Sequence, residues 1–387
     1  MIIDRLIYAI EHIDWGLGYI ITILIFLILS FFSEAYKNNK FIYIFLLYLI
    51  AFSSTRGIVN FDMENYKEMY ENYKILSISE VEPGFIFLSW MFNHFTSSPY
   101  LLFSAYSLLN ILFVYLAIKN FTHYIKTSFF LFLTIPMLYL SSLIGIRQSL
   151  AEAIMFFAVS LFFRKKELPF LFFGTLSILF HYSAVVVFII ICLIYFFLKD
   201  EVKLKFLFSI ITISLVMHFW NISGFLLEIL LKFLYPLFPG KYTIYAQLLL
   251  TEGKTALRGF SIYTTLLFDI LTVFVLYYCY TLIRMRCLHK NYGLIINLLV
   301  IGAVYMNLFG KFSDVTARIF YYFIFYYIVL IPFIIYKIPK TQIKKALIIY
   351  SISLFLFIWL LSGVYKQLSP NEPPPLIYKN ILLKDIY

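Results

Sequence analysis

The chain has little charge. Asp, Glu, Lys and Arg make up 13% of its 387 residues, where a soluble chain of this length carries about 25%. It also lacks a long polar stretch: the longest, at 55–82, 221–259 and after 364, stay near or below about 40 residues. That excludes a separate soluble domain. Three cysteines (Cys192, Cys279, Cys287) lie in or beside apolar runs without metal-like spacing, so they read as packing residues rather than as zinc ligands or a disulfide. There is no DxD-like metal pair, no phosphate-cradling glycine loop and no HExxH, so neither a nucleotide, a metal nor another cofactor is expected. The N-terminus shows no basic n-region and no small-residue cleavage site, which argues against a signal peptide.

Apolar residues are what the chain has, at 63%, with 21% aromatic. Runs of 14 to 24 such residues recur from end to end. In a bilayer such runs must satisfy their own backbone, so they are expected to be helices. The fold class expected is all-α: one polytopic membrane domain over 1–387 with about twelve transmembrane helices. Spans are read at 17–33, 41–54, 99–118, 128–143, 147–163, 168–181, 183–198, 204–220, 260–283, 292–309, 319–336 and 346–363. Two amphipathic stretches, 84–95 and 225–238, are too short or too charged to span and read as interfacial helices. Outer loops are expected at about 55–98 and 221–259, with an outer tail at 364–387.

With those spans, the basic linkers fall on one side. Lys37, Lys40, Lys119, Lys126, Arg164 to Lys166, Lys199, Lys203, Lys205, Arg284, Arg286, Lys290, Lys337, Lys340, Lys344 and Lys345 account for 17 of the 31 basic residues. By the positive-inside rule that side is the cytoplasm. The net charge of +11 is thereby explained by topology, and no nucleic-acid partner is expected. The location expected is an inner (cytoplasmic) membrane, which the family resemblance given below makes a bacterial one.

Residues 128–163 and 168–198 read as tight hairpins, turning at Gly145-Ile146-Arg147-Gln148 and at His181-Tyr182-Ser183. Arms of about 15 residues reach roughly 22 Å, short of about 30 Å of hydrocarbon. Both turns should therefore sit recessed, in a depression that water enters.

Four arginines oppose the charge rule by lying on the outer side: Arg56, Arg147, Arg258 and Arg318. An arginine near hydrocarbon must find an anion or carbonyls, and its fork suits phosphate oxygens. Arg56 and Arg258 lie on polar loops, where plain solvation is the bland alternative. Arg147 and Arg318 start apolar helices, and their main competing role is a structural salt bridge to Glu152, Asp314 or Asp269. In the first outer loop, Asp62, Tyr66 and Tyr70 are spaced to share a helix face. Most acids there read as solvated charge, but Glu82 leads into Pro83-Gly84-Phe85 at the membrane surface and is a candidate general base. His181, at a hairpin apex, is either a packed histidine or a second candidate base; His94 and His218 have less support. Glu152 and Asp269 lie inside spans, where an acid suggests function or a pairing with arginine.

These strings together resemble the EpsG-like group of Wzy-type polysaccharide polymerases: Arg56-Gly57 with Asp62 and Tyr66, Glu82-Pro83-Gly84-Phe85, Ile146-Arg147-Gln148 with Ala151, and Phe180-His181-Tyr182-Ser183-Ala184. Arg318-Ile319-Phe320-Tyr321-Tyr322 and Pro375-Leu376-Ile377-Tyr378-Lys379 fit more loosely. The resemblance implies transfer of a growing glycan from undecaprenyl diphosphate to a new lipid-linked repeat unit at the outer membrane face. Partners would be the undecaprenyl-diphosphate-linked oligosaccharide, membrane lipid and a chain-length regulator protein. The roles expected are catalysis by Glu82, His181, Arg147 and Arg318, and substrate binding by Arg56, Asp62, Tyr66, Gln148, Arg258 and Tyr378, without a metal. The rivals are an O-antigen ligase, using the same donor, and a flippase for the same lipid. A flippase needs a polar through-path, whereas the intramembrane charges here are few. A secondary transporter would show repeated halves, and an acyltransferase a cytosolic donor path; neither is visible.

Overall fold

Among the described residues the apolar runs fold into helices, because only an intra-segment ladder satisfies the backbone away from water. The computed structural model describes residues 14–38, 40–55, 61–78, 81–135, 137–197, 203–220, 262–311 and 314–337. Helix makes up 84% of the structure, and no strand occurs among the described residues. In chain order the helices are α1 (Asp14–Ala35), α2 (Lys40–Ser54), α3 (Phe61–Glu71), α4 (Pro83–Asn93), α5 (Tyr100–Phe121), α6 (Ile125–Thr134), α7 (Tyr139–Ser142) and α8 (Ile146–Phe163). They continue with α9 (Glu167–Phe180), α10 (Ala184–Phe197), α11 (Leu204–Phe219), α12 (Ile262–Arg284), α13 (Tyr292–Phe309) and α14 (Asp314–Lys337). Five of them, α5, α8, α12, α13 and the stretch 316–337 of α14, are long and apolar enough to cross a membrane. Six apolar helices are shorter. The chain is a polytopic membrane protein.

Eleven of the twelve expected spans fall on these helices, and the twelfth, 346–363, lies outside the described residues, as does the expected interfacial helix at 225–238. One span is corrected. The run 128–143 is not a continuous helix: α6 ends at Thr134, Ile135 is extended (φ −83°, ψ 105°), and only the four-residue α7 follows. The cause is in the sequence, where Pro136 follows. A proline lacks the N–H a helix needs and pushes the residue before it out of the α region.

α8 is the centre of the bundle. Fifteen of its 18 residues are buried, between α5 and α9 with α14 against it. Small residues bring the backbones close enough for side chain to main chain bonds between helices. Asn110 on α5 donates to the Ser149 carbonyl at 2.8 Å, and Ser177 on α9 donates to the Ala151 carbonyl at 2.7 Å.

The basic linkers gather at one end. Lys126 pairs with Glu34, Arg164 Nε donates to the Asn120 carbonyl at 2.8 Å, Tyr292 donates to the Phe121 carbonyl, and Tyr124 stacks on Tyr336 at 4.5 Å. The turns Gly145–Gln148 and His181–Ser183 lie at the opposite end, since α8 and α9 are antiparallel and joined at the basic end through the three linker residues 164–166. With 14 residues each, α9 and α10 reach about 21 Å, less than the roughly 30 Å of hydrocarbon.

Candidate active site

The first outer loop contains the helix α3, and its buried face carries Met63, Tyr66 and Tyr70. Tyr70 donates to the Thr96 carbonyl at 2.6 Å, which fastens α3 over the start of α5. Glu64, Glu68 and Glu71 face solvent, and Asp62 is half-buried on the Tyr66 side. α4 follows as an 11-residue helix, too short to span.

The four residues of the EPGF string each have a separate physical task. Pro83 is the first residue of α4, where its fixed φ suits the helix and its missing N–H is not needed. Gly84 lets α4 meet the last turn of α9: a Cβ there would lie 2.8 Å from the Leu179 carbonyl oxygen and 3.0 Å from the Phe180 ring. Phe85 is fully buried. Glu82 occupies the N-cap position but makes no side-chain cap bond. Its carboxylate turns instead to Arg147.

Arg147 and Glu82 form a buried ion pair through Nη1 and Oε2, with side chains 9% and 5% exposed. Arg147 comes from the first turn of α8, after a sharp entry at Gly145. Its guanidinium lies 5.2 Å from the Tyr66 ring centroid and 5.5 Å from that of Phe85, so the cation rests against two neighbouring aromatic rings. Burial pushes the Tyr66 phenol above its ordinary pKa, against the lowering field of Arg147. The phenol is therefore neutral and available as a hydrogen-bond donor. Of the salt bridges that compete for Arg147, those to Glu152 and Asp269 do not form: the acid it finds is Glu82, 65 residues away in sequence. Glu152 accepts a 2.6 Å bond from Gln148, and Asp269 one of 3.2 Å from Asn307.

His181 caps α9 with an extended backbone. Its Nε2 lies 4.0 Å from the second oxygen of Glu82. On the other side, Nδ1 is 2.7 Å from Ser183 Oγ and accepts the Ser183 backbone N–H at 3.3 Å. Since a backbone N–H only donates, Nδ1 is the lone-pair nitrogen and Nε2–H faces the carboxylate. Ser183 Oγ is in turn 3.1 Å from the Tyr322 hydroxyl on α14. A polar chain thus runs Tyr322, Ser183, His181, Glu82, Arg147.

Gln148 ties the site to α14. Its Nε2 donates both to Glu152 and, at 3.2 Å, to the Arg318 carbonyl. The Arg318 residue is exposed and its guanidinium forms no ion pair among the described residues. Glu82, Arg147, His181, Gln148, Tyr66 and the backbone of Arg318 are brought together at one end; Asp62 lies at the edge. Arg56, Arg258 and Tyr378 lie outside the described residues.

Sequence reasoning missed Ser183, Tyr322 and Tyr106. Ser183 sits within the recognised turn, and Tyr322 lies four residues after Arg318, on the same helix face. Tyr106, one of 33 tyrosines, carries no such signal. A second buried network, outside this site, joins three helices. Asn307 on α13 donates to Ser214 on α11 at 2.9 Å and to Asp269 on α12, and its carbonyl receives His218 Nδ1 at 2.8 Å. It accounts for His218 and Asp269 as packing groups.

The family model described as the EpsG family matches residues 39–371 of the chain. No curated protein and no solved structure matches it.

Proposed function

The chain belongs to the EpsG family, and from that premise we propose that it polymerises polysaccharide repeat units, O-antigen or capsular, on undecaprenyl diphosphate. EpsG-like polymerases are Wzy-type. The observation that carries the reading is the buried Glu82–Arg147 pair, with His181 behind the carboxylate and Arg318 at the rim. A base and two cations at one place are what a glycosyl transfer with a diphosphate leaving group needs.

In the reaction, a hydroxyl at the non-reducing end of a lipid-linked unit attacks the anomeric carbon of the growing chain. The new glycosidic bond forms as the bond from anomeric carbon to phosphate oxygen breaks, and the electron pair leaves with undecaprenyl diphosphate. Arg147 and Arg318 stabilise the charge that develops there, as preorganised cations lower such a barrier. The hydroxyl proton goes to Glu82. The hydrogen-bond pattern around His181 supports Glu82 as the base, because the Nδ1 lone pair already receives Ser183. His181 then orients the carboxylate through Nε2–H. Tyr66 and Gln148, with Asp62, Arg56, Arg258 and Tyr378, are assigned to substrate. Because the arginines supply the positive charge, the transfer is read as metal-independent.

The basic linkers at the opposite end support placing that end in the cytoplasm, and hence the site at the outer face of a bacterial inner membrane. Purified protein in proteoliposomes, given lipid-linked repeat units in the presence of EDTA, tests the proposal. Polymer on lipid and released undecaprenyl diphosphate are expected. Unchanged single units in active-lipid controls would refute it.

A further inference from the structure

Two buried polar atoms in the wall of the site have no hydrogen-bond partner among the described residues. Tyr106, on α5, is 1% exposed, its ring lies between Phe85 at 6.2 Å and Phe180 at 6.0 Å, and its hydroxyl makes no hydrogen bond. Arg147 is 8% exposed, and its Nε makes none either. Both groups pack against the Phe85 ring, and the Tyr106 hydroxyl lies within electrostatic reach of both Arg147 and Glu82. Buried polar atoms in native proteins are almost always paired. A phenylalanine at 106 would fill the same space without the unpaired hydroxyl, so packing alone does not call for tyrosine.

The kind of partner that is missing follows from the atoms. Arg147 Nε–H can only donate. A tyrosine hydroxyl can donate to the same acceptor. One oxygen that accepts from both completes the pair, and a charged oxygen does so most strongly. We propose that Tyr106 Oη and Arg147 Nε are the two donors of a phosphoryl-oxygen subsite, with Tyr106 a substrate-binding residue. This rests on the polymerase reading and specifies where its diphosphate sits. Glu82 holds the Nη1 end of the guanidinium in the free protein. An incoming phosphoryl group competes for that cation, which frees the carboxylate to take up the acceptor proton beside His181. The ligand thus readies its own base.

Binding of farnesyl diphosphate to the purified full-length protein tests this, with farnesol as the uncharged control. Tyr106→Phe is expected to melt at or above the wild-type temperature without ligand, and to bind the diphosphate about tenfold or more weakly, the loss of one charged hydrogen bond. Farnesol binding should not change. Arg147→Lys, which keeps the charge but lacks Nε, should show the same weakening. Tyr106→Phe binding as tightly as wild type would overturn the subsite, since a water then satisfies those atoms. Lower melting with unchanged diphosphate affinity would overturn it as well, by making the hydroxyl structural. If wild type binds farnesol as tightly as the diphosphate, the polymerase reading itself fails, and the subsite with it.

Discussion

Arg147 and Glu82, 65 residues apart in sequence, meet as a buried ion pair whose guanidinium rests against the rings of Tyr66 and Phe85. A buried pair stabilises little over an apolar replacement, yet removing one partner strands a charge and costs about 3–5 kcal/mol. Arg147→Ala and Glu82→Ala should each lower stability by about that amount. The double variant should lose less than the sum. Chemical or thermal unfolding in detergent checks it; additive losses would mean that the two groups do not interact.

Turnover should respond more steeply to geometry than to charge at this position. Arg147→Ala removes a charged hydrogen bond worth about 1.5–3 kcal/mol, so polymerisation should slow by roughly 10- to 150-fold or more. Arg147→Lys keeps the charge but not the planar fork, and should fall nearly as far. Rates in reconstituted vesicles at equal protein loading decide this.

Gly84 sets how close α4 comes to α9. A Cβ at 2.8 Å from the Leu179 carbonyl oxygen meets backbone rather than a movable side chain, so Gly84→Ala must push α4 away. The expected cost is about 1–3 kcal/mol. Activity should fall beyond what stability explains, since the push also withdraws Glu82 from His181. A variant as stable and active as wild type would show that α4 is free to shift.

The Ser183 hydroxyl strengthens the hold that its backbone N–H already has on the imidazole, with Nδ1 turned away from Glu82. Ser183→Ala removes the 2.7 Å partner of Nδ1, and Tyr322→Phe removes the hydroxyl behind Ser183. Both should lower kcat, on the order of 10-fold for a general-base assembly that contributes 10²–10⁴. KM should stay near wild type, because neither group is assigned to substrate. Steady-state kinetics separate the two; a change in KM alone would place Ser183 in binding instead.

Much of this was legible in the sequence for a definite reason. Short arms with polar apices give away the turns at 145–148 and 181–183, and the sorted lysines give away the end that gathers the linkers. The four-residue spacing of Asp62, Tyr66 and Tyr70 shows the face of α3. The partner of Arg147 was not legible. Local spacing offered Glu152, one turn below, whereas the acid that arrives is carried in by α4, whose position depends on a tertiary contact at Gly84. Tyr106 and Tyr322 stayed hidden because a tyrosine in an apolar run looks like packing until its neighbours are known, and Ser183, though within the recognised turn, shows its role only through the Tyr322 that α14 brings to it. The break after Thr134 was signalled by Pro136, and the continuous apolar composition around it masked that signal.

The orientation is checked by labelling. In a variant lacking the exposed Cys287, cysteines at Lys67 on α3 and at Lys165 in the basic linker should differ. An impermeant maleimide added to intact spheroplasts should reach the first and not the second; the reverse pattern would turn the protein over.

The most direct test of the polymerase assignment is the surface polysaccharide of the native host after deletion of the gene. Plasmids carry wild type or Arg147→Ala at matched expression, and the polysaccharide is resolved on a gel. Deletion should leave single repeat units, and only wild type should restore the ladder. A ladder that persists after deletion, or that Arg147→Ala restores in full, would contradict the assignment. Polymer retained on its lipid carrier over an uncapped acceptor would instead mark a ligase.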